Sequence, residues 1–210
     1  MRALNDIWRN IGNEFGCYTS ETFDQIPTRP GVYAWFYPLR IATRDLDEFM
    51  AEMLAIQNYD STTLGKPKHR TSVEFAWRKI ILDVELGSKE PTFDSFRNIW
   101  DAAIADEQLF YHLRAVFMRA SLFLNPLYVG KTRNLHNRCY QHVNGVGGSN
   151  NFYERFMNYA SKNKLNAKTV SDLIFACIRT DDESIGSPEE LELLVEDLLK
   201  YLANPSFSIK

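Results

Sequence analysis

Apolar positions along the chain recur at two periods, and the change from one to the other marks out its elements. Leu4, Ile7, Trp8, Ile11 and Phe15 fall on one helical face, which predicts a helix over residues 3–15. Pro27 and Pro30 then push their predecessors into extended backbone, and a strand follows over Gly31–Tyr37 with Tyr33, Trp35 and Tyr37 on one face. Leu46, Phe49, Met50, Met53 and Leu54 predict a helix, and a second is expected from Val73 to Leu86, ended by Gly87. Phe96, Ile99, Trp100 and Ala103 mark a third helix; Leu109, Leu113, Val116, Phe117 and Ala120 mark a fourth. Between the first two, residues 60–70 read as a turn-rich polar loop.

The second half opens on Leu127-Tyr128-Val129-Gly130, a short strand, followed by a helix with Leu135, Arg138, Cys139 and His142 at i, i+3, i+4 and i+7. Asn144-Gly145-Val146-Gly147-Gly148 ends that helix, and Phe152, Phe156, Tyr159 and Ala160 stripe another. Leu173–Ile178 is a continuous apolar run of strand length, expected at the centre of a sheet with both faces covered. Ser187-Pro188-Glu189-Glu190 has the form of a capping box with proline in the first helical position. Leu191, Leu194, Val195, Leu198 and Leu202 stripe the helix that follows, which puts Glu196 on the polar side and Glu192 nearer the apolar flank.

Composition narrows the possible partners. With 24 basic and 27 acidic residues the net charge is −3, so no global field draws the chain to nucleic acid and any such surface is a local patch. Lys66, Lys68, Arg70, Arg78 and Lys79 form the densest basic stretch and are the candidates for phosphate-backbone contacts. No apolar run approaches the ~20 residues of a membrane span, and the first residues turn acidic early, so a cytoplasmic protein with no membrane partner is expected. Cys17, Cys139 and Cys177 are odd in number and lack C-x-x-C spacing, which argues against a disulfide framework or a zinc knuckle.

Tyr128, Lys131, Arg138 and His142 converge on one end of a strand and one face of a helix, a set that suits a phosphate group better than a core. Tyr128-Val129-Gly130-Lys131-Thr132, then Asn134-Leu135, Arg138 and His142, with Gly31-Val32-Tyr33 upstream, resemble the signature of GIY-YIG nucleases. Glu196, nine positions before Pro205, matches the glutamate-to-proline distance of that family; Ser208 stands where the family usually has asparagine. The resemblance implies a single α+β domain over residues 1–210: a small central three-stranded antiparallel sheet flanked by helices, with a helical insertion at about 40–120 between its first two strands.

It further implies a metal-dependent DNA endonuclease that uses one Mg²⁺ or Mn²⁺ held by Glu196, with Glu192 as the fallback ligand. Arg138 would bind the nonbridging phosphate oxygens, and Tyr33, Tyr128, Lys131 or His142 would act on the attacking water. A tyrosine needs nearby positive charge, from Lys131, Arg138 or the metal, to serve as a base at neutral pH, whereas histidine titrates there unaided. Cutting both strands at a palindrome would favour a homodimer. The alternative is a domain of the same fold that binds nucleic acid or protein without cleaving.

Overall fold

A computed structural model of the chain describes residues 14–57, 68–75, 78–85, 94–146, 151–181 and 188–203, together with 205 and 207. The chain divides into two compact units, one formed by Met1–Arg40 with Arg114–Lys210 and the other by Ile41–Leu113.

The first unit is built on an antiparallel sheet of β1 (Phe15–Tyr18), β2 (Gly31–Phe36), β5 (Tyr128–Thr132) and β6 (Ile174–Arg179), in the order β1-β6-β2-β5. The expected sheet of three strands is thus a sheet of four. Phe15 is the reason: it begins a strand paired with Ile178 rather than ending a helix, and β1 covers the edge that β6 would otherwise expose. The rest of the N-terminal stripe, residues 3–13, lies outside the described residues. The apolar run at 174–179 is an inner strand as its sequence suggests, buried over Ile174–Cys177 but exposed at Ile178 and Arg179. Tyr33 stands opposite Gly130 on one side and Cys177 on the other.

Alternation sends Tyr33, Trp35, Tyr128, Phe175 and Cys177 to one face of this sheet. That face is covered by α4 (Leu135–Asn144) and α5 (Asn151–Lys162) and filled by aromatic rings. Trp35 is fully buried, with ring centroids 5.0 Å from Phe175, 6.0 Å from Phe23 and 6.2 Å from Phe152. Phe207, beyond the last helix, packs edge-on against Phe152, Phe156 and Tyr159, and its N–H donates to Leu127 O at 2.7 Å, closing the cluster at the start of β5. The helix α6 (Pro188–Ala203) packs on β5 and β2 and, through Leu199 and Ala203, reaches the other face, where Val32, Ala34 and Val129 stand.

Asn134 explains where α4 begins, since its side chain accepts from Asn137 N at 2.9 Å while Thr132 Oγ1 accepts from Asn134 N at 3.1 Å. Gly145 ends the helix at φ 66°, a left-handed conformation that glycine adopts without strain.

Cys139 and Cys177 are buried on this side of the sheet, and burial pushes both thiols up to about 12 from the ordinary 9.0. A thiol resists ionisation in the fold and not in the unfolded chain, so their stabilisation is complete below about 9 and lost as pH rises towards 12. Thermal melts across this alkaline range should show a falling midpoint, and a thiol reagent should modify the exposed Cys17 well before the other two. A flat melting profile across that range would contradict the burial of these groups.

The second unit contains α1 (Leu46–Gln57), β3 (Lys68–Phe75), β4 (Arg78–Glu85), α2 (Asp94–Ala105) and the first part of α3 (Glu107–Ala120). It is therefore not wholly helical. The helix expected over 73–86 and the loop expected over its described residues 68–70 are instead an antiparallel hairpin, with Val73 opposite Ile80, Thr71 opposite Leu82 and His69 opposite Val84. β-branched residues on alternate positions win over the helical reading once the second strand supplies a partner. Elsewhere in this unit Phe49 stacks on Trp100 at 5.4 Å, Trp100 Nε1 donates to Arg44 O at 2.8 Å, and the Arg44 guanidinium lies 5.1 Å over the Phe110 ring. In α2 the buried positions are Trp100 and Ala103, while Phe96 and Ile99 of the same stripe are exposed.

No helix among the described residues is long and apolar enough to cross a membrane.

Candidate active site

Strand pairing and one helix bring four of the expected residues together. Tyr33 comes from β2, Tyr128 from the paired β5, and Arg138 and His142 from successive turns of α4. The start of α4 is tied to the chain before β2, because Leu135 N donates to Arg29 O at 3.0 Å and His136 N to Pro27 O at 3.2 Å. The helix face is thereby fixed over the strand ends.

The Tyr33 hydroxyl is the hub. It accepts from Arg138 Nε at 3.1 Å and lies 2.8 Å from His142 Nε2. Because the phenol oxygen already accepts from the guanidinium, its own proton is well placed to point towards Nε2. The Tyr128 ring stacks on Tyr33 with centroids 6.0 Å apart and lies 5.2 Å from His142, and its phenol interacts with both Tyr33 and Arg138.

Electrostatics separates the roles of these groups. Tyr33 is almost wholly buried, and that burial pushes its pKa well above the ordinary phenol value; Tyr128 adds to the shift and Arg138 only partly opposes it. Desolvation thus outweighs the neighbouring Arg138 and holds Tyr33 as a protonated phenol. His142 is also fully buried, with its Nε2 engaged with the Tyr33 hydroxyl. Half-burial opposes the charge on Arg138, but the phenol oxygens of Tyr33 and Tyr128 more than offset this and move its pKa up. Tyr128, of intermediate exposure, is the phenol of the cluster that can meet a ligand.

Gly130 makes this arrangement possible. A Cβ there would lie 2.5 Å from the Tyr33 hydroxyl oxygen, 2.7 Å from its ring carbon Cζ and 2.9 Å from Tyr128 Cε1. Both rings are held by stacking, so Gly130→Ala is expected to destabilise the protein by ~1–3 kcal/mol and to displace the Tyr33 hydroxyl from His142. Chemical denaturation checks the first effect; an unchanged midpoint would contradict it.

Two expected members, Lys131 and Glu196, do not join the hydrogen bonds of this cluster. Lys131 is opposite Val32, so alternation places it on the face away from Tyr33. Glu196 is on the buried side of α6 rather than the polar side, in line with Leu199 and Ala203, and pairs with Lys200 at 2.7 Å. The apolar stripe misplaces it because Leu194, Leu198 and Leu202 are exposed. The side chain of Glu192 and all of Ser208 lie outside what the structure describes.

The basic stretch is also arranged differently from a cationic loop. Lys68 and Arg70 lie in β3, opposite Glu85 and Asp83; Lys79 lies in β4 opposite Glu74, and Arg78 opposite Phe75. Lys66 is outside the described residues.

Gln141 was not singled out by sequence, yet its Oε1 accepts from Arg138 Nη1 at 3.0 Å. The signal that could have found it is its position three residues after the arginine on the same helix face.

Among the described residues no group of three or more His, Cys, Asp or Glu stands together as a ready-made metal cage. A single carboxylate nevertheless fits the chemistry of Mg²⁺ or Mn²⁺, which keep several water ligands, and Glu196 is the residue that would hold such an ion. The chain matches no family model, no curated protein and no solved structure.

Proposed function

We propose that this chain is a divalent-metal-dependent phosphodiester hydrolase acting on DNA. The reading is carried by one observation: Arg138 is oriented by a buried Tyr33–His142 pair and by Gln141, with a half-buried phenol, Tyr128, beside it. A phosphodiester repels an attacking hydroxide, so its hydrolysis depends on fixed positive charge near the nonbridging oxygens. Arginine supplies that charge through more than one donor. Tyr128 is the group available to an attacking water, while Tyr33 and His142 hold the guanidinium and the phenol in register. A divalent cation on Glu196 would supply further charge neutralisation, with Lys200 giving up its partner.

The ion pair between Glu196 and Lys200 favours a second reading, a domain that binds nucleic acid or a protein without cutting. Supercoiled plasmid separates the two. With Mg²⁺ or Mn²⁺ the first reading expects nicking that is sharply reduced by Tyr128→Phe and by Glu196→Gln. No cutting with either ion, together with a shift of DNA in a low-salt gel, supports the second.

A further inference from the structure

Two arginines reach one carboxylate at the end of the sheet where β2 begins. Arg29, just before β2, approaches Asp181 Oδ2 through Nε at 3.7 Å, and Arg179, the last residue of β6, approaches Oδ1 through Nε at 3.2 Å. Strand register sets this up: Arg179 is opposite Gly31, and Thr180 N donates to Pro30 O at 3.1 Å, so the pairing continues past the strand end and brings Asp181 beside Arg29. By alternation Arg29, Arg179 and Asp181 share the sheet face of Gly31 and Tyr33. Asp181 is the shielded member, its side chain 22% exposed against 65% for Arg29 and 40% for Arg179. One carboxylate cannot neutralise two guanidiniums, and among the described residues neither guanidinium has another ion-pair or hydrogen-bond partner. Exposed ion pairs of this kind stabilise a fold only weakly, so the surplus charge is better explained by an anion outside the chain.

We propose that Arg29 and Arg179 form a second phosphate subsite, which holds a non-scissile phosphate of the DNA strand whose scissile phosphate meets Arg138. The inference rests on the phosphodiesterase reading of the Arg138 site, and the placement fits it. Arg29 O accepts from the N–H of Leu135, the first residue of α4, and Arg138 follows one turn later on that helix. Tyr33 is four residues on from Arg29, ~13 Å of extended chain, or a few steps along one DNA strand at ~3.4 Å each. Two guanidiniums held on neighbouring backbone segments by one carboxylate can both offer donors to the oxygens of a single phosphate. Asp181 keeps them in register and at the same time repels the phosphate. The subsite therefore positions the substrate without taking part in bond breaking, and it carries no preference for base sequence.

The test measures equilibrium binding of a short labelled DNA duplex by the full-length protein in EDTA, over a series of salt concentrations. Arg29→Gln/Arg179→Gln is expected to bind about tenfold more weakly near ~0.1 M salt and to lower the slope of log affinity against log salt by about 1, equally for duplexes of unrelated sequence. Asp181→Asn keeps an acceptor between the arginines and removes the charge, so it is expected to bind more tightly than wild type. A triad that only braced the sheet would give the opposite sign or no change, and this arm does not depend on the arginine variant folding. Affinity and salt slope unchanged in the arginine variant overturn the subsite while leaving the Arg138 site standing, and so does an Asp181→Asn variant that binds no more tightly than wild type. Wild-type protein that neither binds nor nicks DNA overturns the subsite together with the phosphodiesterase reading.

Discussion

Replacing Arg138 with alanine is expected to lower the rate of metal-dependent DNA cleavage by about 10²–10³-fold, the usual effect of removing one donor that faces developing negative charge. The side chain is oriented by Tyr33 at 3.1 Å and by Gln141 at 3.0 Å, so its donors are aimed before substrate arrives. Arg138→Lys should recover little of the lost rate, because one ammonium group cannot span both partners and grip phosphate through a planar fork. The fold should survive both changes, since Arg138 is only half-buried and the rings beneath it pack without it. Single-turnover nicking rates, read beside thermal melts, check this. An alanine variant that cuts as fast as wild type would remove Arg138 from the chemistry.

Trp35→Ala is expected to cost ~3–5 kcal/mol of stability. The ring is fully buried between Phe23, Phe152 and Phe175, and its centroid is 6.1 Å from that of His142. Removing it opens a cavity that rigid aromatic neighbours close poorly, and it loosens the imidazole that holds Tyr33. Cleavage should therefore decline together with stability, whereas Arg138→Ala separates the two. Urea unfolding of the two proteins gives the difference directly. A loss below ~1 kcal/mol would mean that the aromatic cluster is not what holds the sheet to α4 and α5.

Much of the site was legible because its residues lie on elements with unambiguous periods. Tyr33 and Trp35 alternate on a strand bounded by prolines, and Leu135, Cys139 and His142 bury one clean helix face with Arg138 at its margin. Other elements carry patterns that satisfy two templates at once. Val73, Trp77, Ile80, Ile81 and Val84 fit helical spacing, yet within each half the apolar positions also alternate, and strand pairing decides between the two. Glu196 is misplaced for a related reason: α6 turns the buried glutamate inward, in line with the half-buried Leu199 and Ala203, while the leucine stripe that dominates its sequence faces outward. The fourth strand was missed because Phe15 completes a helical stripe in sequence, and only pairing with Ile178 reveals it as a strand residue. The state of Tyr33 could not be read from sequence at all, because it depends on how completely the sheet and α4 exclude water.

A crystal structure with Mn²⁺ and a short DNA duplex puts the central claim to its most direct test. The account predicts a backbone phosphate in contact with the Arg138 guanidinium and the Tyr128 hydroxyl, and an anomalous manganese peak on the Glu196 carboxylate with Lys200 displaced. A phosphate seated away from Arg138, or Glu196 still paired with Lys200 while the ion lies elsewhere, would contradict it.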